Sequence, residues 1–324
     1  MSESEDSLMV RVAWLYYVGG FHQEATALRL GLTRARVNKI LGEARESGLV
    51  SISIDHQNAG TLPLENELMR RYELDFCIST PPFGFDANDD TASEIRKQVS
   101  FRAVGVAAAT YLKDFLADNQ EATIGTGWGR TIEQMTLQLA GVCSPQARFI
   151  SVMGSLTANS AYNPFEVVHM LARRTSGQGF FLPVPFIADS AEDRKVLISQ
   201  RSVAHAMEIA RTASVCFISA GELTEDSLLR RQNMLSKAEL ESLRAAGAIG
   251  DTNGIFFDKD GHQIDHEMNR RTIALGFSEL QKIQVVLLIA GQEKAVAAKA
   301  LLKSGIVNGL IINGDAAEAL KNIS

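Results

Sequence analysis

The fold is decided by the stretch Glu121-Ala-Thr-Ile-Gly-Thr-Gly-Trp-Gly-Arg-Thr131, which predicts a strand, a glycine-rich turn and a helix that continues to about Ala140. Three glycines let the backbone take up positive φ and approach a ligand closely. The first N–H groups of a helix that begins near Thr131 have no partner within that helix, and they favour an anion such as phosphate. Glycine-rich turns also occur where close packing alone requires them. The stretch by itself leaves both interpretations open.

Strands alternate with helices from Asp75 onward. Apolar runs predict strands at Phe76 to Ser79, Ala122 to Gly125, Arg148 to Met153, Phe180 to Val184, Val215 to Ser219, Val285 to Ala290 and Gly309 to Ile312. Helical spacing predicts helices at Thr91 to Phe115, Pro164 to Arg174, Val203 to Arg211, Ala238 to Ala246, Lys294 to Lys303 and Ala316 to Leu320. This alternation predicts an α/β domain with a doubly wound, largely parallel sheet, in which ligands bind at the carboxyl ends of the strands.

The first sixty residues have a different pattern, that of three short helices. The first helix ends at Gly19-Gly20, the second runs from about Gln23 to Leu30, and Thr33 caps the third. Apolar residues at helical spacing are expected to face inward: Leu8, Val12, Leu15 and Tyr16 in the first helix, Ala25, Leu28 and Leu32 around the second, and Val37, Ile40, Leu41 and Ala44 in the third. Two helices joined by a short turn with glycine predict a helix-turn-helix.

The third helix carries polar residues on its outer face. Together with the capping Thr33, the candidates for DNA contact are Arg34, Arg36, Asn38, Lys39 and Arg45. Arg and Lys bind phosphates or guanine, and Asn pairs with adenine, when such a helix lies in the major groove. The alternative is a solvated helix face. One copy would bind DNA weakly, so the DNA interpretation requires a homo-oligomer, a dimer or a tetramer.

Three regions follow from these patterns. We expect a DNA-binding helix-turn-helix domain at residues 1–60, a linker helix at residues 61–74, and an effector-binding and oligomerisation domain at residues 75–324. Leu49 to Ile54 alternates as a short strand or wing, and Asn58 to Gly60 reads as a linker. The linker helix either joins subunits or packs on the larger domain.

Composition sets further bounds. The 324 residues carry a formal charge of -6, with 46% hydrophobic and 22% charged residues, which is ordinary for a globular protein and leaves nucleic-acid binding to a local patch. The cysteines, Cys77, Cys143 and Cys216, are odd in number and widely spaced, which predicts reduced, buried thiols. No signal peptide or membrane span is visible, so a cytoplasmic protein is expected.

Besides the glycine-rich turn, three segments are expected as loops at strand ends: Gly154-Ser155 leading to Asn163, Gly250 to Gly254, and Ala290 to Lys294. Lys294 opposes the helix dipole in a first turn, which an anion offsets, and that anion is either Glu293 or a bound phosphosugar. Asp251 either accepts hydrogen bonds from ligand hydroxyls or bonds its own backbone in a turn.

The chain resembles the SorC/DeoR family of bacterial sugar-responsive transcriptional regulators. The resemblance rests on the helix-turn-helix, the Gly125 to Thr131 motif, Asn163 to Val168, Gly247 to Asp251 with Phe256 to Asp258 and Asp260-Gly261, and Ala290-Gly291 with Lys294. The resemblance covers essentially the whole chain. It implies a large domain similar to phosphosugar isomerases, operator DNA and a small phosphorylated sugar or polyol as partners, and no catalysis. By the same resemblance the effector-binding residues are Thr126, Gly127, Trp128, Gly129, Arg130, Thr131, Ser155, Asn163, Asp251 and Lys294. The chain departs from the family at Ile312-Asn313, where Thr-Asp is usual, and at Asn38-Lys39, where Ser-Arg is common.

Other functions fit the residues less well. A phosphosugar isomerase or deaminase-like enzyme with an appended helical domain remains the alternative, with Asp251 and Lys294 as acid and base. The glycine spacing and the missing acidic residue after Met153 disfavour a dinucleotide cofactor, and Gly127 stands where a hydrolase elbow needs Ser, so no cofactor is expected. Lys259 to Gly261 reads as a hairpin turn, and no metal site is expected at the neighbouring Asp258, Asp260, His262 and His266.

Overall fold

The structure, a computed structural model, describes residues 5–50, 60–84, 93–155 and 163–323. Three N-terminal helices form the predicted helix-turn-helix: α1 (Glu5–Ala13), α2 (Gln23–Leu30) and α3 (Arg34–Glu46), with one π-helical turn at Trp14–Val18 after α1. Their common core contains Val12, Ala27, Val37, Ile40 and Leu41. Most of the predicted wing and of the linker at Asn58 lies outside the described residues.

The fourth helix, α4 (Leu62–Tyr72), packs on the α/β body. Arg71 donates hydrogen bonds to the carbonyls of Lys321 and Ile323, each at 2.9 Å, and Glu67 pairs with Lys321 at 3.0 Å. The buried carboxylate of Glu65 accepts a hydrogen bond from the Ser79 amide at 2.7 Å. These contacts show that α4 packs on the α/β body of its own chain, and a role in joining subunits stays a prediction.

All seven predicted strands belong to one parallel sheet. They are β1 (Phe76–Ser79), β2 (Thr123–Thr126), β3 (Arg148–Ser155), β4 (Gln178–Pro185), β5 (Val215–Ser219), β9 (Gln284–Ile289) and β10 (Gly309–Ile312). Their order across the sheet is β1-β10-β9-β5-β2-β3-β4. The chain moves outward from β2 to β4 and then returns to place β5 on the other side of β2. The carboxyl ends of β2 and β5 therefore border a topological switch point, where ligands bind in open α/β sheets.

Helices cover both faces of this sheet, as expected of a doubly wound fold. The helices of the body are α5 (Ser93–Asp118), α6 (Arg130–Gln138), α7 (Pro164–Thr175), α8 (Ala191–Ser199), α9 (Arg201–Arg211), α10 (Leu228–Arg231), α11 (Lys237–Ala245), α12 (Glu267–Arg271), α13 (Phe277–Leu280), α14 (Ala295–Lys303) and α15 (Gly314–Asn322). Helices α5, α6 and α7 share one core, and α4, α9, α14 and α15 share the other. Burial on both faces explains why the five residues Val285 to Ile289 of β9 are all apolar and all buried.

A second, antiparallel sheet was not predicted. It consists of β6 (Gly221–Glu222), β7 (Gly250–Thr252) and β8 (Ile255–Phe257), and it packs with α10, α11 and α12 around a third core. The expected loop from Gly250 to Gly254 is therefore wrong, because Asn253 and Gly254 form a two-residue hairpin turn with φ of +49° and +71°. Asn-Gly favours this turn, since both residues tolerate positive φ.

Two residue-level expectations are also wrong. Leu28 does not face inward: it is 87% exposed, and Thr26 and Ala27 occupy the buried face of α2 instead. Cys143 is exposed, whereas Cys77 and Cys216 are buried and their thiol pKa values are raised by burial. Within the described ranges no helix is long and apolar enough to cross a membrane, including the 26-residue α5.

Candidate functional site

A cavity lies at the switch point, between the carboxyl ends of β2, β5 and β9 and the small sheet. The residues that line it are Trp128, Gly129, Arg130, Ser219, Ala220, Gly221, Glu222, Ser227, Leu228, Leu229, Asp251, Asn253 and Lys294. Its free volume is about 40 Å³, which is room for roughly three water molecules.

The glycine-rich turn ends at the N-terminus of α6. Gly129 is the capping residue, has a φ of +114° that only glycine adopts easily, and provides no side-chain cap. The first amides of α6 are left to a ligand, and the helix dipole places positive potential there. Trp128 packs against Phe186 with ring centroids 6.0 Å apart, which fixes the turn to the third core. The strand, the turn and the start of α6 therefore lie where the sequence predicted them, and the binding of an anion at this helix end stays a prediction.

Two cations line the cavity beside this helix end. The Arg130 guanidinium lies 4.4 Å and the Lys294 ammonium 5.7 Å from the centroid of the Phe101 ring. Lys294 is only 7% exposed. Burial lowers the pKa of Lys294, the negative charge of Glu222 opposes that effect, and the like charge of Arg130 adds to it. Among the described residues neither cation forms an ion pair within 4.0 Å.

Two carboxylates face the same space. Asp251, in β7, accepts a hydrogen bond from the Gly254 amide at 3.0 Å, and Glu222 lies on the adjacent strand β6. Burial raises the pKa of Asp251 to about 6 from an ordinary 3.8; the Gly254 amide opposes this rise, Glu222 adds to it, and Lys294 opposes it. An ionised carboxylate accepts hydrogen bonds and donates none, so Asp251 and Glu222 suit the hydroxyl groups of a ligand.

Two residues that line the cavity have buried polar atoms without a partner among the described residues, Ser227 Oγ and Asn253 Nδ2. The buried hydroxyls of Thr126 and Thr131, on either side of the glycine-rich turn, also have none. Burying a polar group without a hydrogen bond costs free energy, so the two atoms in the lining favour a polar ligand there.

The structure brings together Trp128, Gly129, Arg130, Asp251 and Lys294, although more than a hundred residues separate the turn from Lys294 in sequence. Thr126, Gly127 and Thr131 are not among the lining residues: the hydroxyls of Thr126 and Thr131 are buried, and Gly127 leaves space for the side chain of Asn253. Ser155 and Asn163 are not among the lining residues. The Ser155 carbonyl accepts the Phe186 amide at 2.9 Å, and the Asn163 side chain caps α7 through the Phe165 amide at 3.2 Å.

Sequence reasoning missed other lining residues. Ser219 is the last residue of a predicted strand, and Ala220 and Gly221 directly follow it, so the rule that ligands bind at carboxyl ends could have identified all three. That β5 lies beside β2 is a long-range fact that strand patterns do not contain. Phe101 had no signal of its own, because it is one apolar position among many in α5.

Replacing Asp251 with asparagine should change how stability depends on pH. A raised native pKa stabilises the fold fully below about pH 4, and that contribution is lost as pH rises through about 6. The stability of Asp251→Asn relative to wild type should therefore grow between about pH 4 and pH 6 and then level off, by up to roughly 3 kcal/mol. Urea unfolding at several pH values measures this difference. A difference that is constant or shrinks with rising pH would contradict the assignment.

The helix-turn-helix has the geometry for DNA contact. Thr33 caps α3, because its hydroxyl accepts the Arg36 amide at 3.2 Å. Asn38 is exposed, and its Oδ1 accepts a hydrogen bond from Gln23 Nε2 at 3.1 Å. The Oε1 of Gln23 in turn accepts Arg34 Nε at 3.4 Å. Gln23, which the sequence did not single out, thus orients two outward side chains of α3.

The other candidates for DNA contact are spread along α3. Arg36 is half-buried and pairs with Glu5 at 2.8 Å, while the exposed Lys39 lies 3.6 Å from Glu43. Arg45 lies at the far end of α3, where its Nε donates to the Leu41 carbonyl at 3.2 Å. Arg45 is therefore separate from the polar face of the first two turns of α3. It lines a groove between α3 and residues of the α/β body such as Pro81 and Arg102.

The turn that follows Asp258 is held by the Asp258 side chain, whose Oδ1 accepts hydrogen bonds from the amides of Asp260 and His262 at 2.9 and 3.0 Å. The Gly261 amide donates to the Asp258 carbonyl at 3.1 Å. The hairpin turn predicted at Lys259 to Gly261 is confirmed.

Fold and site together define an α/β protein with a cavity at its topological switch point and an attached helix-turn-helix. The family model described as "Putative sugar-binding domain" matches residues 56–322. The erythritol catabolism regulatory protein EryD of Brucella abortus (strain 2308) is 32% identical over 320 residues, which are 99% of this chain and 98% of that protein. The transcriptional regulator LsrR of Enterobacter sp. (strain 638) is 28% identical over 323 residues, covering 98% and 93% of the two chains.

Solved structures agree at the level of the fold. The full-length sorbitol operon regulator SorC from Klebsiella pneumoniae superposes with a TM-score of 0.68 at 21% identity, covering 98% of this chain and 99% of that chain. The chain belongs to the SorC/DeoR family of sugar-binding transcriptional regulators. The resemblance seen in the sequence is confirmed, and the isomerase alternative is not favoured by these relatives.

Proposed function

We propose that this protein is a repressor of a carbohydrate or polyol catabolic operon, that α3 binds operator DNA, and that a small phosphorylated sugar or polyol in the switch-point cavity controls this binding. The observation that carries the proposal is the pair of cations, Arg130 and Lys294, which line one cavity at the N-terminus of α6 without an ion pair among the described residues. A phosphate supplies the missing charge, and the α6 amides supply hydrogen bonds.

The effector class follows from the charges that line the cavity. Arg130, Lys294 and the first amides of α6 offer hydrogen-bond donors and positive charge, and Asp251 and Glu222 offer acceptors. This combination suits a ligand with an anionic head and a hydroxylated body. The names of the relatives, which refer to erythritol catabolism and a sorbitol operon, support a polyol or sugar body.

Control works through linkage. In this proposal the effector binds a widened form of the cavity and stabilises that form. The widened form then has a different affinity for DNA, and DNA and effector affect one another's affinity by the same factor.

Within the chain we assign residues 1–60 to DNA binding, 61–74 to a connecting helix, and 75–324 to effector binding and oligomerisation. A homo-oligomer, dimer or tetramer, supplies the paired recognition helices that operator binding needs. We place the protein in the cytoplasm, where its DNA target is accessible.

The proposal is tested by a thermal-shift screen in which each phosphate ester is paired with its unphosphorylated form: glycerol 3-phosphate, erythritol 4-phosphate, ribose 5-phosphate and glucosamine 6-phosphate. A ligand that binds the native state raises the melting temperature. We expect at least one ester to do so and its neutral counterpart to do far less. Equal shifts from neutral and phosphorylated forms would contradict the anion site.

We also propose that the protein has no catalytic activity. Asp251, the candidate base, is 6% exposed and is held by the Gly254 amide within a hairpin. Ribose 5-phosphate and glucosamine 6-phosphate, followed by NMR, should show no turnover above the uncatalysed rate. Turnover that Asp251→Asn abolishes would favour the isomerase interpretation instead.

A further inference from the structure

The guanidinium of Arg174 lies between the ends of two helices that belong to different parts of the protein. Its Nη2 donates to the carbonyl of Ser47, the residue that caps the C-terminus of α3, at 3.1 Å. Its Nη1 donates to the carbonyl of Leu139, the C-terminal cap of α6, at 3.0 Å. Arg174 itself is in the last turn of α7. One side chain therefore joins the recognition helix to the helix that begins at the effector cavity.

The electrostatics of this contact favour a firm bond. The last carbonyls of a helix have no partner within it and carry the negative end of its dipole, so a cation between two such ends stabilises both. No carboxylate pairs with Arg174 within 4.0 Å among the described residues. The two carbonyls are thus the groups that offset its half-buried charge.

The N-terminal module is shaped to receive this side chain. Gly48 follows Ser47 with a φ of +73°, and a Cβ at this position would overlap the guanidinium. Glycine therefore suits the backbone angle, and a Cβ at this position would displace the guanidinium of Arg174. Gly20, in the same module, has a φ of +68° but open space around it. A substitution at Gly20 therefore measures the cost of the backbone angle alone.

Helix α6 connects the two sites. It begins directly after Gly129 of the glycine-rich turn and ends directly before Leu139, and its nine residues span about 13 Å. A phosphate that binds the first amides of α6 and pushes the cavity open shifts this short, stiff helix, and the Leu139 carbonyl moves with it. The guanidinium that is bonded to this carbonyl passes the shift to the end of α3.

We propose that Arg174 is the residue that couples effector binding to the recognition helix. This inference rests on the proposed function, because it needs an effector at α6. Without any effector, Arg174 still joins the last turns of α3 and α6 through its two hydrogen bonds.

The first experiment measures coupling. Arg174→Met removes both donors at similar length, and the exposed neighbour Arg173→Met is the matched control. The probe is erythritol 4-phosphate, and the DNA is a duplex selected by the wild-type protein from a random-sequence library. We expect Arg174→Met to bind the probe as wild type does in calorimetry but to lose most of the change in DNA affinity, which for allosteric proteins is about 5- to 150-fold. Arg173→Met should keep that change.

A response to the probe in Arg174→Met equal to that of wild type would overturn the coupling role and leave the proposed function intact. If wild type binds none of the four esters, the proposed effector class fails, and the second experiment then decides the contact.

The second experiment uses no ligand. Hydrogen exchange of the Ser47, Gly48 and Leu139 amides reports on the last turns of α3 and α6. We expect all three amides to exchange faster in Arg174→Met than in wild type. In Arg173→Met all three should exchange at the wild-type rate. Gly48→Ala should destabilise the protein more than Gly20→Ala in the wild-type background, but by a similar amount when Arg174 is methionine. Exchange that changes at only one helix end, or strictly additive effects of Gly48→Ala and Arg174→Met, would overturn the inference. Arg174→Lys, which keeps the charge, provides the readout if the methionine variant does not fold.

Discussion

Lys294→Met is expected to lower affinity for a phosphorylated effector by about 10- to 150-fold, because a charge-assisted hydrogen bond in a buried site contributes roughly 1.5 to 3 kcal/mol. Methionine keeps most of the volume of the side chain and removes the ammonium beside Arg130 and Phe101. DNA affinity without effector should stay close to wild type, since α3 is not part of the cavity. Effector titration by calorimetry and DNA binding by anisotropy measure the two quantities separately.

The control is Lys303→Met, which removes the same charge from the other end of α14, where Lys303 is exposed and pairs with Asp260 at 3.4 Å. This variant should bind effector normally. A Lys294→Met protein with wild-type affinity for phosphate esters would exclude the ammonium from the site.

Thr131→Val extends the same prediction to the helix end. Its hydroxyl is buried and has no partner among the described residues, so the isosteric valine should leave the free protein as stable or more stable. If the hydroxyl binds the ligand, effector affinity should nevertheless fall. Combined with Lys294→Met, the loss should differ from the sum of the single losses when the ligand shifts to compensate.

Arg36→Ala and Asn38→Ala should each weaken operator binding by about 1 to 3 kcal/mol if they contact bases, while effector binding stays unchanged. Asn38 is held by Gln23 with its amide exposed, and Arg36 must exchange its partner Glu5 for DNA. If Arg36 contacts a phosphate instead, Arg36→Ala should reduce the slope of log affinity against log salt concentration by about one. Gel-shift titrations at several salt concentrations distinguish these two cases.

Arg201→Ala is the matched control for charge, because Arg201 is exposed at the start of α9, outside the helix-turn-helix. It should bind DNA like wild type. Unchanged DNA affinity in both Arg36→Ala and Asn38→Ala would remove the first two turns of α3 from the DNA interface.

The parts of the fold that were predictable from sequence are those with local signals. Continuous apolar runs such as Val285 to Ile289 indicate strands buried on both faces, and Thr33 followed by a helical apolar pattern marks the start of α3. The glycine-rich turn indicated an anion site for a local reason as well, since glycines before a helix expose its first amides.

The rest depended on long-range arrangement. The small sheet uses strands of two or three residues, too short for a periodic pattern, and their pairing brings Glu222 beside Asp251. Leu28 shows the opposite failure, since an apolar residue at the expected spacing faces solvent. The link from Ser47 through Arg174 to Leu139 joins residues far apart in the chain, and a sequence pattern contains no trace of it.

An anionic ligand in the switch-point cavity should change the affinity of α3 for DNA. The most direct test is to titrate the wild-type protein bound to its selected DNA duplex with each phosphate ester and with its unphosphorylated counterpart, and to follow release by fluorescence anisotropy. We expect one ester to release the DNA at a concentration where its unphosphorylated form does not, and Lys294→Met to require far more of that ester. If no ester changes the DNA affinity, or if the unphosphorylated form changes it equally, the cavity does not control DNA binding through an anion.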